Sequence, residues 1–297
     1  MMTTLLSIDI GIDPTIFDQW GVEVTWHGLF TAIGVVMGVA VATWFARKAG
    51  YKEDQIYNVA LALVIGGIIG ARGLYVIENW SLFKDDIGGM FEVNTGGISI
   101  YGALIGGTIG AWVYAMLSKV RNIPKAADIA AIGGILGMAV GRIGDIINGE
   151  HFAKTTDLPW GLVYTHADSP SFIRFGASAE PQHPAVAYEL LGDLAIFAFL
   201  IFLYTRVSRS GITFFVWVLL YGLLRTFVSF LRLDETIWGT GLRVAQVIGI
   251  AGMAIGLLGT IYLLRVPPKE TQEIESRAAR RRALREEAPP VEEEPVT

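Results

Sequence analysis

Ile56-Tyr-Asn-Val-Ala-Leu-Ala-Leu-Val-Ile-Gly-Gly-Ile-Ile-Gly-Ala-Arg-Gly-Leu-Tyr-Val-Ile77 is the stretch whose reading decides the fold class. It runs for 22 residues with a single charge, Arg72, five residues before its end. A helix needs about 20 apolar residues to cross the hydrocarbon core of a bilayer, so this run reads as a membrane span. Six further stretches read the same way: 24–46, 96–118, 128–147, 186–205, 211–230 and 244–264. The expected fold is an all-α polytopic membrane protein with seven transmembrane helices. Glycine lowers the hydropathy of the 96–118 and 128–147 runs, so their edges are the least sharply marked. The short alternating segments of a membrane barrel are missing.

Composition agrees. Of 297 residues 53% are hydrophobic and only 17% charged, with a mean hydropathy of +0.50; soluble domains carry about 25% charged residues. The absence of cysteine excludes disulfides, thiolate catalysis and cysteine-ligated metals. No basic face lies outside the C-terminal tail, so no nucleic-acid partner is expected. His27, His151, His166 and His183 lack metal-ligand spacing, and no phosphate-cradling glycine loop or dinucleotide fingerprint is present. No metal and no cofactor are expected.

Orientation follows from the lysines and arginines between spans. Fifteen fall in one set of connections, which includes the tail from Arg265 onward, and five in the other set. The N-terminus is therefore expected outside and the C-terminus in the cytoplasm. Residues 1–23 lack a basic n-region and carry Asp9 and Asp13 within an apolar stretch, so they read as an extracytoplasmic, interfacial segment rather than a secretory signal. Residues 24–264 form the membrane domain, and 265–297 a charged cytoplasmic tail whose 273–287 run has helical character. The long outer connection, 149–185, contains Pro159, Pro170, Pro181 and Pro184 and is expected to form a small cap or arm.

Much of the glycine is spaced by four. Gly66/Gly70, Gly102/Gly106/Gly110 and Gly133/Gly137/Gly141 are small-xxx-small faces that let helices approach closely, and tight packing is their ordinary use.

Three arginines, Arg72, Arg142 and Arg225, stand inside the spans. Charge in the bilayer is costly and has to face a partner or a cavity. All three come late in spans running outward, while His27 and Tyr101 come early in spans running inward. At about 1.5 Å of rise per residue, all five sit within roughly 10 Å of the outer boundary. Asp145, Asn148, Glu150 and His151 follow Arg142 at the same level. A lone arginine near a span end can simply snorkel to the headgroups, and Arg142 with Asp145 at i, i+3 can be an internal ion pair. Five helices nevertheless bring polar groups to one depth, and arginines at headgroup depth suit a phosphate.

On these residues the sequence resembles the prolipoprotein diacylglyceryl transferases. The resemblance covers nearly all of 24–264 and rests on five ordered segments. They are Gly66-Gly-Ile-Ile-Gly-Ala-Arg-Gly-Leu-Tyr75, Gly96-Gly-Ile-Ser-Ile-Tyr-Gly-Ala-Leu-Ile-Gly106, and Gly141-Arg-Ile-Gly-Asp-Ile-Ile-Asn-Gly-Glu150. The others are His183-Pro-Ala-Val-Ala-Tyr-Glu189 and Tyr221-Gly-Leu-Leu-Arg-Thr-Phe-Val-Ser-Phe-Leu-Arg232, and Gln246 matches the glutamine of the last span. The third segment resembles the family signature. The resemblance implies an enzyme of the bacterial cytoplasmic membrane, with its active site towards the outer leaflet. Such an enzyme moves the diacylglyceryl group of phosphatidylglycerol onto the lipobox cysteine of a preprolipoprotein, forming a thioether and releasing glycerol-1-phosphate. Its partners would be phosphatidylglycerol, the signal peptides of preprolipoproteins and membrane lipids, with the enzyme a monomer. By matching position, Arg142 and Arg225 would hold the phosphate region, and Asn148, Glu150 and Tyr221 would line the pocket. Arg72 and Arg232 look like gate or supporting positions.

The departures from the family pattern are specific. Tyr101 stands where the family has histidine, and His27 stands where its first span has tyrosine. The expectation is that His27 supplies the imidazole base and Tyr101 its hydroxyl partner, because a tyrosine of pKa about 10 is a poor base at neutral pH. The signature asparagine is Asp145, its last glycine is Ala153, and the glutamine after His183-Pro is Val186. Asp145 would neutralise Arg142 and weaken its grip on phosphate. Two other functions compete: a diverged protein that binds phospholipid or lipoprotein without catalysis, and a small-molecule transporter. Clustering of the polar groups at one face rather than the midplane argues against the transporter.

Overall fold

The computed structural model describes residues 7–20, 22–84, 87–91, 97, 99–177, 179–234 and 241–267. The chain is mostly helical. Its long helices are α1 (Trp26–Lys48), α2 (Glu53–Glu78), α4 (Ile100–Leu117), α5 (Ile123–Asn148), α7 (Ala185–Arg206), α8 (Ile212–Ser229) and α9 (Val244–Arg265); two short ones, α3 (Trp80–Phe83) and α6 (Pro170–Phe175), lie between them. Six of the long helices are apolar and long enough to cross a membrane, and α4 is a shorter apolar helix by its described residues. The expected charged helix in the tail, 273–287, lies outside the described residues.

Local signals set the helix ends. The Thr25 side chain accepts from the Gly28 backbone N–H at 3.1 Å and starts α1. α5 begins at Ile123, five residues earlier than the apolar run suggests. The Asn122 side chain caps Lys125 N–H at 3.1 Å, and Pro124 sits in the first turn. Its early turns carry Asp128, whose carboxylate accepts from the backbone N–H groups of Gly211 and Phe214 at 2.7 and 2.8 Å. An apparent polar intrusion into α5 is thus the cap of α8. Gly149, at φ 73°, closes α5 with its N–H on the Asp145 carbonyl.

The glycine faces set the packing. A methyl group on Gly70 would collide with the Gly102 carbonyl, and one on Gly66 with that of Gly106, so α2 and α4 cross backbone to backbone. Gly34 and Gly38 of α1 meet Gly137 and Gly133 of α5 in the same way. α5 also packs on α7 and α8, and α8 pairs with α9. The buried core, Phe45, Ile129, Ile132, Ile135, Ile196 and Leu200, lies between α1, α5 and α7. Large apolar side chains such as Ile69, Leu117 and Leu258 face outward, the arrangement lipid selects.

Two small sheets that the hydropathy pattern did not foresee lie outside the helices. β1 (Ser7–Ile10) pairs in parallel with β4 (Gly161–Tyr164), and β2 (Thr15–Gln19) forms an antiparallel hairpin with β3 (Val22–Thr25) that runs directly into α1. The 149–185 connection folds back on the bundle end where α1 and α7 begin and α5 and α8 finish. Ser169 donates to the Asn148 carbonyl at 3.1 Å, and Tyr164 to that of Ile146 at 2.8 Å. Burial pushes the Tyr164 phenol above its ordinary pKa, with the Asp145 charge adding to the effect, so it stays a neutral donor.

Candidate active site

The ionisable groups of four helices meet at that same end. Glu189, in the second turn of α7 and 2% exposed, is the hub. Its Oε2 lies 2.8 Å from Nη2 of Arg142 on α5, and its Oε1 pairs with Nη1 of Arg225 on α8. The same Oε1 is 3.8 Å from Nη1 of Arg232, just beyond α8. One buried carboxylate therefore aligns three guanidiniums.

Asp145 forms a second centre, 4% exposed. Its Oδ2 accepts from Nη1 of Arg142 at 2.9 Å and lies 3.3 Å from Nε2 of His151. Its Oδ1 is 2.5 Å from Nδ1 of His27. The His27 side chain keeps 44% of its surface exposed and lies 3.9 Å from Glu150, and its backbone N–H donates to Asn148 Oδ1 at 3.3 Å. Asn148 in turn donates to Glu150 at 2.7 Å.

Tautomers follow from the partners. Arg232 can only donate, so Nδ1 of His151, 3.2 Å from Arg232 Nη2, accepts, and its Nε2–H faces Asp145. His27 donates from Nδ1 to Asp145, which leaves Nε2 as its free lone pair. Arg232 is completed by Asp234, with Nε 2.8 Å from Oδ2 and Nη2 2.9 Å from Oδ1. Burial alone would raise the Asp234 carboxyl, but the hydrogen bonds and charge of Arg232 hold it below the usual carboxylate range.

The structure brings His27, Arg142, Asp145, Asn148, Glu150, Arg225 and Arg232 into one network. Tyr221 lies one turn before Arg225 on α8, stacked on Trp217 with ring centroids 6.4 Å apart. Tyr101 is in the first turn of α4, and its side chain lies outside the described ones. Arg72 donates to the carbonyls of Met90, Gly97 and Gly89 at 2.9, 2.7 and 2.6 Å, tying α2 to the chain that leads into α4. Gln246 is buried and accepts from the Arg243 backbone at 2.9 Å, where it caps α9. Ala153 and Val186 are buried, and Ala153 bridges backbone to backbone with Arg232. Glu189, Asp193 and Asp234 were not singled out in the sequence, and His151 was placed at this depth without a role; all four belong to this region. The available signal for Glu189 was its place at the end of His183–Glu189, one of the ordered segments whose companions carry Arg72, Arg142 and Arg225.

A cavity of about 500 Å³ opens from His27, Arg142 and Asp145 and runs between α1, α5 and α2 past Gly38 and Gly133 to Tyr51 and Gln55. Its wall is almost wholly apolar below the charged mouth. His27, Asp145 and Glu150 offer ligand atoms within 4.8 Å of one another, spacing that a cation could use. The Arg142 guanidinium at 2.9 Å from Asp145 opposes one with its own charge. The arrangement instead suits an anion on the arginines beside an imidazole whose Nε2 has no partner among the described residues.

The family model for prolipoprotein diacylglyceryl transferase matches residues 14–262. The chain is 32% identical over 252 residues to the phosphatidylglycerol–prolipoprotein diacylglyceryl transferase of Clostridioides difficile (strain 630), covering 85% of this chain and 96% of that protein. It is 34% identical over 258 residues to the protein of the same name from Trichormus variabilis, covering 84% and 89%. For the Acaryochloris marina protein the identity is 34% over 264 residues, covering 88% and 94%. The chain belongs to the prolipoprotein diacylglyceryl transferase family, a family of membrane transferases.

Proposed function

We propose that this chain transfers the diacylglyceryl group of phosphatidylglycerol to the lipobox cysteine thiol of a prolipoprotein, at the outer face of a bacterial cytoplasmic membrane. Seven helices, α4 included, cross the bilayer, with the N-terminus outside and the tail in the cytoplasm. The lipid phosphate is held by Arg142 and Arg225, and the acyl chains lie in the apolar cavity whose mouth Arg142 forms with His27 and Asp145. Asn148, Glu150 and Tyr221 line the headgroup pocket, while Arg72 and Arg232 order its surroundings.

In the reaction the sulfur–carbon bond forms at the glyceryl carbon as its bond to the phosphate oxygen breaks. The bonding electrons leave with glycerol-1-phosphate. A thiol of pKa about 8.5 needs help to lose its proton at neutral pH. Nε2 of His27 is the acceptor, because Asp145 fixes the other ring nitrogen as a donor and stabilises the imidazolium that forms. Charge growing on the departing phosphate is stabilised by the guanidiniums, which binding of the lipid phosphate has already turned towards it before the bond breaks.

The carrying observation is one buried carboxylate, Asp145, joined to both the exposed imidazole of His27 and the guanidinium of Arg142. That sharing answers the objection from sequence: Asp145 divides its charge among three partners, and Arg142 keeps a second terminal nitrogen on Glu189. Complementation of a bacterial strain depleted of its own transferase tests the reading. Lipid-linked lipoprotein should reappear with this chain. Its absence despite good membrane expression would leave a lipid-binding role.

A further inference from the structure

Asp193 is a fully buried acidic group of the region that the reaction above does not use. It stands one turn along α7 from Glu189, 0% exposed. Neither carboxyl oxygen has a hydrogen-bond partner among the described residues. The charged and titratable groups facing it are Arg142 on α5, Glu189 on α7, and Tyr221 and Arg225 on α8. Both arginines are already bound to Glu189, and Arg142 also to Asp145.

The resting site has no charge to spare for Asp193. Arg142, Arg225 and Arg232 are matched by the buried or half-buried carboxylates Asp145, Glu189 and Asp234, and Glu150 beside His27 is a fourth carboxylate. An ionised Asp193 would be a buried, unpaired anion, the arrangement that costs most in a low-dielectric interior. Phosphate binding makes the demand sharper. When the two guanidiniums turn towards a phosphate diester, Glu189 loses hydrogen bonds inside the protein, and a further anion nearby would repel both.

We propose that Asp193 is a neutral carboxylic acid that positions the arginine pair, donating its O–H to Glu189 as Arg142 and Arg225 turn to the phosphate of an anionic lipid. The acid supplies a donor where guanidinium donors are withdrawn, and it adds no charge of its own. Headgroup binding and the state of the Asp193 proton are thereby linked. Asp193 is a positioning residue: it acts through Glu189, four residues before it on α7, and not on the substrate.

This inference rests on the phosphate site proposed above, and infrared spectroscopy tests the two separately. The purified protein in phosphatidylcholine vesicles at neutral pH should show the C=O stretch of a protonated carboxyl, absent in Asp193→Asn. The band should shift when phosphatidylglycerol replaces phosphatidylcholine. In the transfer assay, Asp193→Val should raise KM for phosphatidylglycerol about tenfold with a smaller change in kcat, and Asp193→Asn, which keeps a donor, should recover most of that loss. Loss of no carboxylic-acid band in Asp193→Asn overturns the inference, as does a band indifferent to the lipid headgroup. If the wild-type protein transfers no lipid, the transferase reading fails while the band still reports on Asp193.

Discussion

Glu189 on α7 and Arg142 on α5 meet at 2.8 Å in a part of the bundle where Glu189 is only 2% exposed. The contact is structural and functional at once. It locks α7 against α5, and it presents the guanidinium to the cavity mouth. Removing the carboxylate leaves Arg142 without one partner and Arg225 without another. Glu189→Ala should destabilise the protein by about 3–5 kcal/mol, the usual cost of breaking a buried pair. Thermal unfolding in detergent measures it, and Glu189→Gln should fall between wild type and alanine.

His27 is the side chain through which the proton should leave the thiol. His27→Gln should keep the fold, since the ring is only half-buried, and lower kcat by about 10²–10⁴-fold, the usual worth of a general base. Asp145→Asn should also lower kcat, because the amide cannot stabilise the imidazolium. Full activity in His27→Gln would remove the base from the account.

The glycine crossing of α2 and α4 has no slack. Gly70→Val should destabilise by about 1–3 kcal/mol as the backbones are forced apart. Gly73 has open space around an added Cβ and serves as the control, with Gly73→Ala leaving the unfolding temperature close to wild type.

Asp234 gives a pH dependence of known sign. Its folded-state pKa lies below the unfolded value of about 3.9, so it stabilises the folded protein above that pH and the contribution is lost as pH falls through the folded value. Asp234→Asn should therefore unfold at a lower temperature than wild type at pH 7, and the difference should vanish in strong acid. A gap that persists unchanged at low pH would contradict the Arg232–Asp234 pair as its source.

The membrane class was legible because apolar runs and their length report directly on the solvent around a helix. Arg142 and Arg225 were legible for the converse reason, since a charge inside such a run demands a partner. Glu189 and Asp193 were not, because an acidic residue close to the start of a span reads equally well as a headgroup-level side chain. Only the packing of α7 against α5 and α8 turns them inward. The start of α5 was read at 128 rather than 123, since Pro124 and Lys125 interrupt the apolar run, and the role of Asp128 was hidden because its partners are backbone groups 83 and 86 residues away. The β1–β4 pairing escaped the reading for the same reason: its strands are 4 residues long and distant in sequence.

The most direct test of the account is mass spectrometry of a lipobox peptide incubated with the purified protein in phosphatidylglycerol vesicles. The account predicts a diacylglyceryl adduct on the cysteine with wild-type protein, and none above background with the Arg142→Gln, Arg225→Gln double variant. No adduct with folded wild-type protein, or equal adduct with the double variant, would contradict it.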